Sequence, residues 1–150
     1  MSEADEWRAY FDSIGMAEPL TDRAFKLIED WSALIGEDFE TVFVSEYRDE
    51  QGTRTYESLW LISSRYLVEC HEFVSGNRSD IVRADAKAVR VERDWKDFNP
   101  GNATEASRLS INLNYLGGGI GGIAAGFKAS GTNCDRLYEI LKTRVLPHLD

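Results

Sequence analysis

Apolar residues recur at helical spacing at the start of the chain and at alternate positions through its middle. Trp7, Tyr10, Phe11 and Ile14 fall at i, i+3, i+4 and i+7, and Gly15 supplies a stop. Thr21 offers an N-cap after Pro19, and Phe25, Ile28, Trp31, Leu34 and Ile35 form a second apolar stripe that ends at Gly36. The spacing predicts two short amphipathic helices within residues 1–38. Each has a face that needs burial, and neither is long enough to persist alone in water.

From residue 39 the period becomes two. Phe39, Thr41, Phe43, Ser45 and Tyr47 alternate with Glu40, Val42, Val44 and Glu46, and a polar turn over 49–52 leads into Tyr56, Ser58, Trp60 and Ile62. Leu59 and Leu61 make that second strand apolar on both faces. The run LWLISSRYLVECHEFV, residues 59–74, reads as two apolar strands pinched at Ser63-Ser64-Arg65. Ser75-Gly76-Asn77 is a turn signal, and Ile81-Val82 suits a short strand. Val89, Val91, Arg93 and Trp95 alternate with Arg90, Glu92 and Asp94, and Phe98-Asn99-Pro100-Gly101-Asn102 reads as a loop. Leu109, Ile111, Leu113 and Tyr115 against Ser110, Asn112 and Asn114 predict a strand with one dry and one wet face. Ile123, Ala125, Phe127 and Ala129 suit a last strand, before a helix with Cys134, Leu137, Tyr138, Leu141 and Val145 on its buried stripe.

Two helices, about seven strands and a closing helix, joined by turn-length links, predict an antiparallel α+β fold that is mainly β. Closure into a barrel or half-barrel is expected, because closure removes exposed edges. Residues 1–38 are read as a helical extension packed on a barrel domain of residues 39–150.

Charge separates the same two regions. Residues 1–40 hold 11 acidic and 3 basic side chains, whereas residues 41–150 hold 15 and 14, so nearly all of the net −9 lies at the start. A chain so charged is repelled by phosphate backbones and anionic lipid, which argues against nucleic-acid and strong anionic-membrane binding. The acidic helices serve solubility or meet a basic partner. Cys70 and Cys134 fall at apolar positions and are read as buried thiols, too few for a disulfide framework. The start MSEADEW has no leader pattern and no apolar run is long enough to span a bilayer, so a cytoplasmic location is expected.

The strand-turn-strand LWLISSRYLVE resembles that of pleckstrin-homology-like and GRAM-like domains, and the element order over residues 39–148 is similar to theirs. The resemblance implies a barrel plugged by its C-terminal helix and a binding role toward phosphoinositides, peptides or proteins. In its lipid binders, basic residues on the first hairpin grip the headgroup. Here that hairpin offers Arg48 and Arg54, but Asp49 and Glu50 intervene and would oppose a phosphate at close range. A protein or peptide partner is therefore favoured.

Catalytic constellations are weak. The glycines of 117–122 match G-x-G-x-x-G, but the segment after them is too short and Gly-broken to be a dinucleotide-binding helix, so a β-turn is the better reading. Cys70 and His71 are adjacent on a strand and point to opposite faces, His148 lies at the far end, and no metal or cofactor is expected. Ser63 and Ser64 have no evident base, and Glu92 with Asp94 shares a face with Arg90 as a solvated charge ladder. The leading expectation is a non-catalytic binding or adaptor module for a protein or peptide partner. Its candidate contact residues are Arg48, Arg54, Trp7 and Phe11, the last two lidding the barrel or joining a homodimer. The alternative is a helix-grip carrier or enzyme enclosing a small apolar ligand among Trp60, Phe73, Tyr115 and Tyr138.

Overall fold

A computed structural model describes residues 2–48, 53–71, 73–74, 78–83, 88–94, 108–114 and 124–148. Helix α1 (Glu3–Ser13) opens with a capping box, in which Ser2 Oγ accepts from the Asp5 N–H and the Asp5 carboxylate accepts from the Ser2 N–H. Glu3, Asp5 and Glu6 in its first turn complement the helix dipole. The chain leaves α1 through Gly15 at φ +78°, where a side chain would be strained. Helix α2 (Glu18–Ile35) is capped by Ala17 with Pro19 in its first turn, so Thr21 is not the cap expected from the sequence. Proline serves at that end because it lacks an N–H that would otherwise go unbonded, and Thr21 is carried one turn inward and buried. Gly36 in the left-handed region ends α2.

The strands are β1 (Thr41–Arg48), β2 (Arg54–Ile62), β3 (Tyr66–His71), β4 (Arg78–Arg83), β5 (Ala88–Asp94), β6 (Arg108–Asn114) and β7 (Ala124–Ser130). They are followed by α3 (Asn133–Ile140), which continues as a π-helical turn, Leu141–Val145, and a 3-10 turn, Leu146–His148. The expected closed barrel is not formed. Backbone hydrogen bonds divide the strands into two antiparallel sheets, β1-β2-β3-β4 and β5-β6-β7, and no ladder joins them among the described residues. Core packing is described for β1, β2, β3 and β7 alone, four strands rather than the about seven that a capped barrel requires. Nor does α3 plug a barrel end, for its first turns reach the outer edge of β1. The barrel implied by the resemblance is corrected accordingly. Closure is one of several ways to protect a strand edge, and here side chains cover it.

Between the sheets lies an aromatic core. Phe43 on β1 sits opposite Trp60 on β2 in the register, and Phe127 on β7 lies against both, 4.1 Å from Trp60 and 5.8 Å from Phe43 between ring centroids. Val42, Val44, Leu59 and Leu61 on the opposite face are also fully buried. This accounts for the two-sided apolarity of β2. Trp7, Tyr10, Phe11 and Ile14 of the first helical turn system join the same core, with Phe11 edge-on to Phe25 of α2 at 5.7 Å.

The β2-β3 turn forms where Ser63-Ser64-Arg65 predicts it. The Ser63 N–H donates to the Tyr66 carbonyl at 2.9 Å, and the Tyr66 N–H donates to Ser63 Oγ at 3.0 Å. Glu37, just beyond α2, takes the Ser63 hydroxyl and both Arg65 Nε and Nη2, the last two at 2.9 and 2.8 Å. The Ser63 hydroxyl, then Arg65, hold the Glu37 carboxyl below its ordinary value of 4.5. A lowered carboxylate pKa contributes stability above the unfolded value and loses it as pH falls through the folded value. Glu37→Gln is therefore expected to destabilise at neutral pH, with the gap to wild type closing as pH falls below that ordinary value. Thermal melts of both proteins across pH 3–7 check this, and a gap that stays constant down to pH 3 would contradict it.

Candidate functional site

The described polar chemistry concentrates where α1 and α3 meet the outer edge of β1. In an antiparallel pair, one residue's N–H and C=O point to the same side, and at Val42 and Val44 they point away from β2. Tyr10 and α3 meet them there. The Val44 N–H donates to Tyr10 Oη at 2.9 Å, and the Tyr10 hydroxyl donates onward to Asn133 Oδ1 at 2.7 Å. Asn133 Nδ2 donates to the Val44 carbonyl at 3.0 Å, and Arg136 Nε donates to the Val42 carbonyl at 2.8 Å. Three side chains thus replace the missing neighbour strand.

A β-bulge between Ser45 and Glu46 then changes what β1 presents. Ser45 Oγ accepts from the Lys128 N–H at 2.9 Å, and Glu46 Oε1 accepts from the Ser130 N–H at 2.8 Å. The Ser130 hydroxyl donates to Glu46 Oε2 at 2.8 Å, Asn133 Nδ2 lies 3.2 Å from Oε1, and Arg54 Nε lies 3.4 Å from Oε2. Glu46 is completely buried, and its charge is matched by Arg54 and these donors. The two sheets are therefore seamed by side chains of β1 reaching the backbone of β7.

An open cleft of about 560 Å³ lies over this joint, lined by Glu6, Ala9, Tyr10, Thr132 and Arg136 among others. Burial pushes the Tyr10 phenol well above its ordinary pKa. Burial also lowers the Arg136 guanidinium, which stacks 3.8 Å over the Tyr10 ring and keeps 19% of its side-chain surface exposed. Glu6 Oε1 stands 3.9 Å from Arg136 Nη1. The phenol holds its proton, and the buried carboxylate is engaged with the Ser130 N–H and hydroxyl, Asn133 and Arg54. The cluster therefore does the work of a joint. Among the described residues, no three His, Cys, Asp or Glu side chains gather for a metal.

Three of the four sequence-predicted contact residues, Trp7, Phe11 and Arg54, lie inward. Trp7 and Phe11 are buried in the core, because the helical stripe they belong to is the seated side of α1. Phe11 has no exposed surface and Trp7 keeps 6% of its own. Arg54 turns inward, with 16% of its side chain exposed. Its Nη1 donates to the Ile14 carbonyl, and Tyr56 Oη donates to the same oxygen at 2.8 Å, fastening the end of α1 to β2. Arg48 pairs with Arg54 in the register, and its side chain lies outside the described set. Cys70 and Cys134 are buried thiols. Of the apolar-ligand set, Trp60 and Phe73 are close-packed in the core and Tyr138 packs beside it, while Tyr115 lies outside the described residues, as do the 117–122 turn and Trp95.

Sequence reasoning missed Tyr10, Glu46, Asn133 and Arg136 as polar partners. One signal was present: a tyrosine on a buried helical stripe needs a hydrogen-bond partner. It also placed Leu34 on the buried stripe of α2, whereas Leu34 is 70% exposed. Leu20, Leu27, Trp31 and Leu34 fall within an arc of about 60° on an ideal helix, to one side of the buried Thr21, Ala24 and Ile28. The first three are half-buried. This apolar flank lies on helices whose exposed charged side chains are mostly acidic, including Glu18, Asp22, Glu29 and Asp30.

No helix among the described residues is long and apolar enough to cross a membrane. Comparison with protein-family models, curated proteins and solved structures finds no match.

Proposed function

We propose that this chain is a non-catalytic binding module that receives a protein or peptide partner on the outward surface of its two N-terminal helices. One observation carries the reading: α2 is seated on the core by its buried side, with Glu37 just beyond it bonded to Arg65, yet keeps an apolar flank open to solvent at Leu34. A fixed helix with an uncovered apolar stripe presents preformed binding surface, and preorganisation lowers the entropy cost of association. The polar groups at the joint of α1, α3 and β1 support the same reading, since Tyr10, Glu46, Asn133 and Arg136 are occupied in holding these elements and β7 together. Phosphate backbones and anionic lipid are poor partners for a segment of such charge.

The test is site-specific photo-crosslinking in the native cell. A photoreactive residue at position 34 is expected to give a discrete adduct with another protein. The same residue at Thr55, exposed at the opposite end of the β1-β2 hairpin, is expected to give none. Absence of any adduct at 34, or identical adducts at both positions, would overturn the assignment.

A further inference from the structure

We propose that the open cleft between α1 and α3 binds a carboxylate carried on a small apolar body, with Arg136 as its anchor. The site lies apart from the α2 flank and stands or falls independently of the functional reading above. Glu6, Ala9, Tyr10 and Ser13 share one face of α1 and make one wall of the cleft, while Thr132 and Arg136 line the other at the start of α3. Ala9 has only a methyl group to offer between its longer neighbours, which leaves the space open. The volume of about 560 Å³ is in the range of small-ligand sites.

The donors of Arg136 choose the ligand. Nε donates to the Val42 carbonyl at 2.8 Å, and Nη2 lies 3.3 Å from Thr41 Oγ1. These bonds and the stacking on Tyr10 fix the guanidinium in place. Among the described residues Nη1 has no hydrogen-bond acceptor, and Glu6 Oε1 stands 3.9 Å away, beyond that reach. A planar guanidinium held still with one nitrogen open is a preorganised donor for a carboxylate oxygen. The Glu6 side chain is 61% exposed and can withdraw into solvent. A ligand carboxylate then takes the position that the chain's own carboxylate approaches without filling. One carboxylate is exchanged for another, so the charge beside Arg136 stays balanced although the chain is acidic. A phosphate dianion brings more negative charge than one open nitrogen matches in this acidic segment. Ala9 and Ile14 line the cleft where an apolar body would lie.

The full chain is titrated with N-acetylleucine and, in parallel, with N-acetylleucinamide, which has the same apolar body and no carboxylate. Proton–nitrogen NMR follows the Arg136 Nε–H and the Ala9 amide. The acid is expected to shift both signals saturably and the amide to leave them in place. Glu6→Gln, at an exposed position, is expected to tighten binding of the acid about threefold by removing the competing carboxylate. Ala9→Leu fills the cleft without replacing any group that bonds to β1, and is expected to weaken binding about tenfold or more. A tripeptide ending in leucine with a free C-terminus separates the two sources of such a carboxylate. Tighter binding than N-acetylleucine assigns the site to the end of a peptide chain, and equal or weaker binding assigns it to a small free acid. Equal shifts from acid and amide would overturn the proposal, as would the lack of saturable shifts in both wild type and Glu6→Gln. Unchanged affinity in an Ala9→Leu variant that melts like wild type would also overturn it, because the acid would then bind elsewhere. None of these results bears on the crosslink at position 34, which tests the α2 flank alone.

Discussion

Glu46→Ala is expected to destabilise the protein by about 3–5 kcal/mol, as when one partner of a buried charge cluster is removed. The carboxylate takes the Ser130 N–H and hydroxyl, faces Asn133 Nδ2, and stands beside Arg54. Alanine leaves the Ser130 N–H and hydroxyl buried without this acceptor, leaves Asn133 Nδ2 with the Val44 carbonyl alone, and removes the counter-charge of a guanidinium that is mostly shielded from water. A loss of this size is a large part of the roughly 5–15 kcal/mol that holds a typical domain together. Glu46→Gln keeps an acceptor oxygen for the Ser130 N–H and is expected to lose less. Urea unfolding followed by far-UV circular dichroism measures both. A Glu46→Ala loss under about 1 kcal/mol, the scale of ordinary surface substitutions and weak contacts, would mean that the β1–β7 seam does not depend on this side chain.

Tyr10→Phe is expected to cost about 2–3 kcal/mol while leaving the ring packing of α1 intact, since each buried polar group left unpaired costs about 1–3 kcal/mol. The hydroxyl is the acceptor for the Val44 N–H and the donor to Asn133. Removing it orphans a backbone donor at a strand edge and loosens the amide that also supports Glu46. Tyr47→Phe on the same strand, at a half-exposed site, is expected to stay within about 0.5 kcal/mol. Thermal and urea unfolding of the pair separate loss of the hydroxyl's hydrogen bonds from any general effect of removing a phenol. Equal effects at positions 10 and 47 would contradict the edge-capping role. Because Tyr10 and Glu46 share Asn133, the double variant is expected to lose less than the two single losses added together.

What the sequence made legible was local. The stripe Trp7, Tyr10, Phe11 and Ile14 marks the seated side of α1, and the Ser63-Ser64-Arg65 pinch marks the β2-β3 turn, because both signals repeat within one or two turns of chain. Alternation on β1 and β2 identified strands, but a period of two distinguishes faces and says nothing of edges. The edge of β1 is completed by residues far away in the chain, Tyr10, Asn133 and Arg136. The bulge between Ser45 and Glu46 sends a carboxylate inward from a position that strict alternation assigns to a polar side. Closure was inferred as the remedy for exposed edges, whereas this fold covers part of its edge with side chains. Arg54 is a candidate contact residue on the sequence because the resemblance places binding cations on that hairpin, and the buried Glu46 and the Ile14 carbonyl that draw it inward are visible only in three dimensions. Leu34 was misplaced for a related reason. Helical periodicity assigns a stripe to the core without giving its width, and the core here covers Thr21, Ala24 and Ile28 and leaves the adjoining flank uncovered.

The functional account depends on α1 and α2 remaining fixed, so that only their outer surface is available to a partner. The Val44 amide reports this directly, because its acceptor is the phenol of α1 and not another strand. Residue-resolved hydrogen exchange on the native protein is expected to find the Val44 N–H as slow as the amides of Leu59 and Leu61 in β2, opening only with global unfolding. Exchange of Val44 at the rate of an uncovered strand edge, while Leu59 and Leu61 stay protected, would show α1 swinging free of β1. The fixed helical platform would then be wrong.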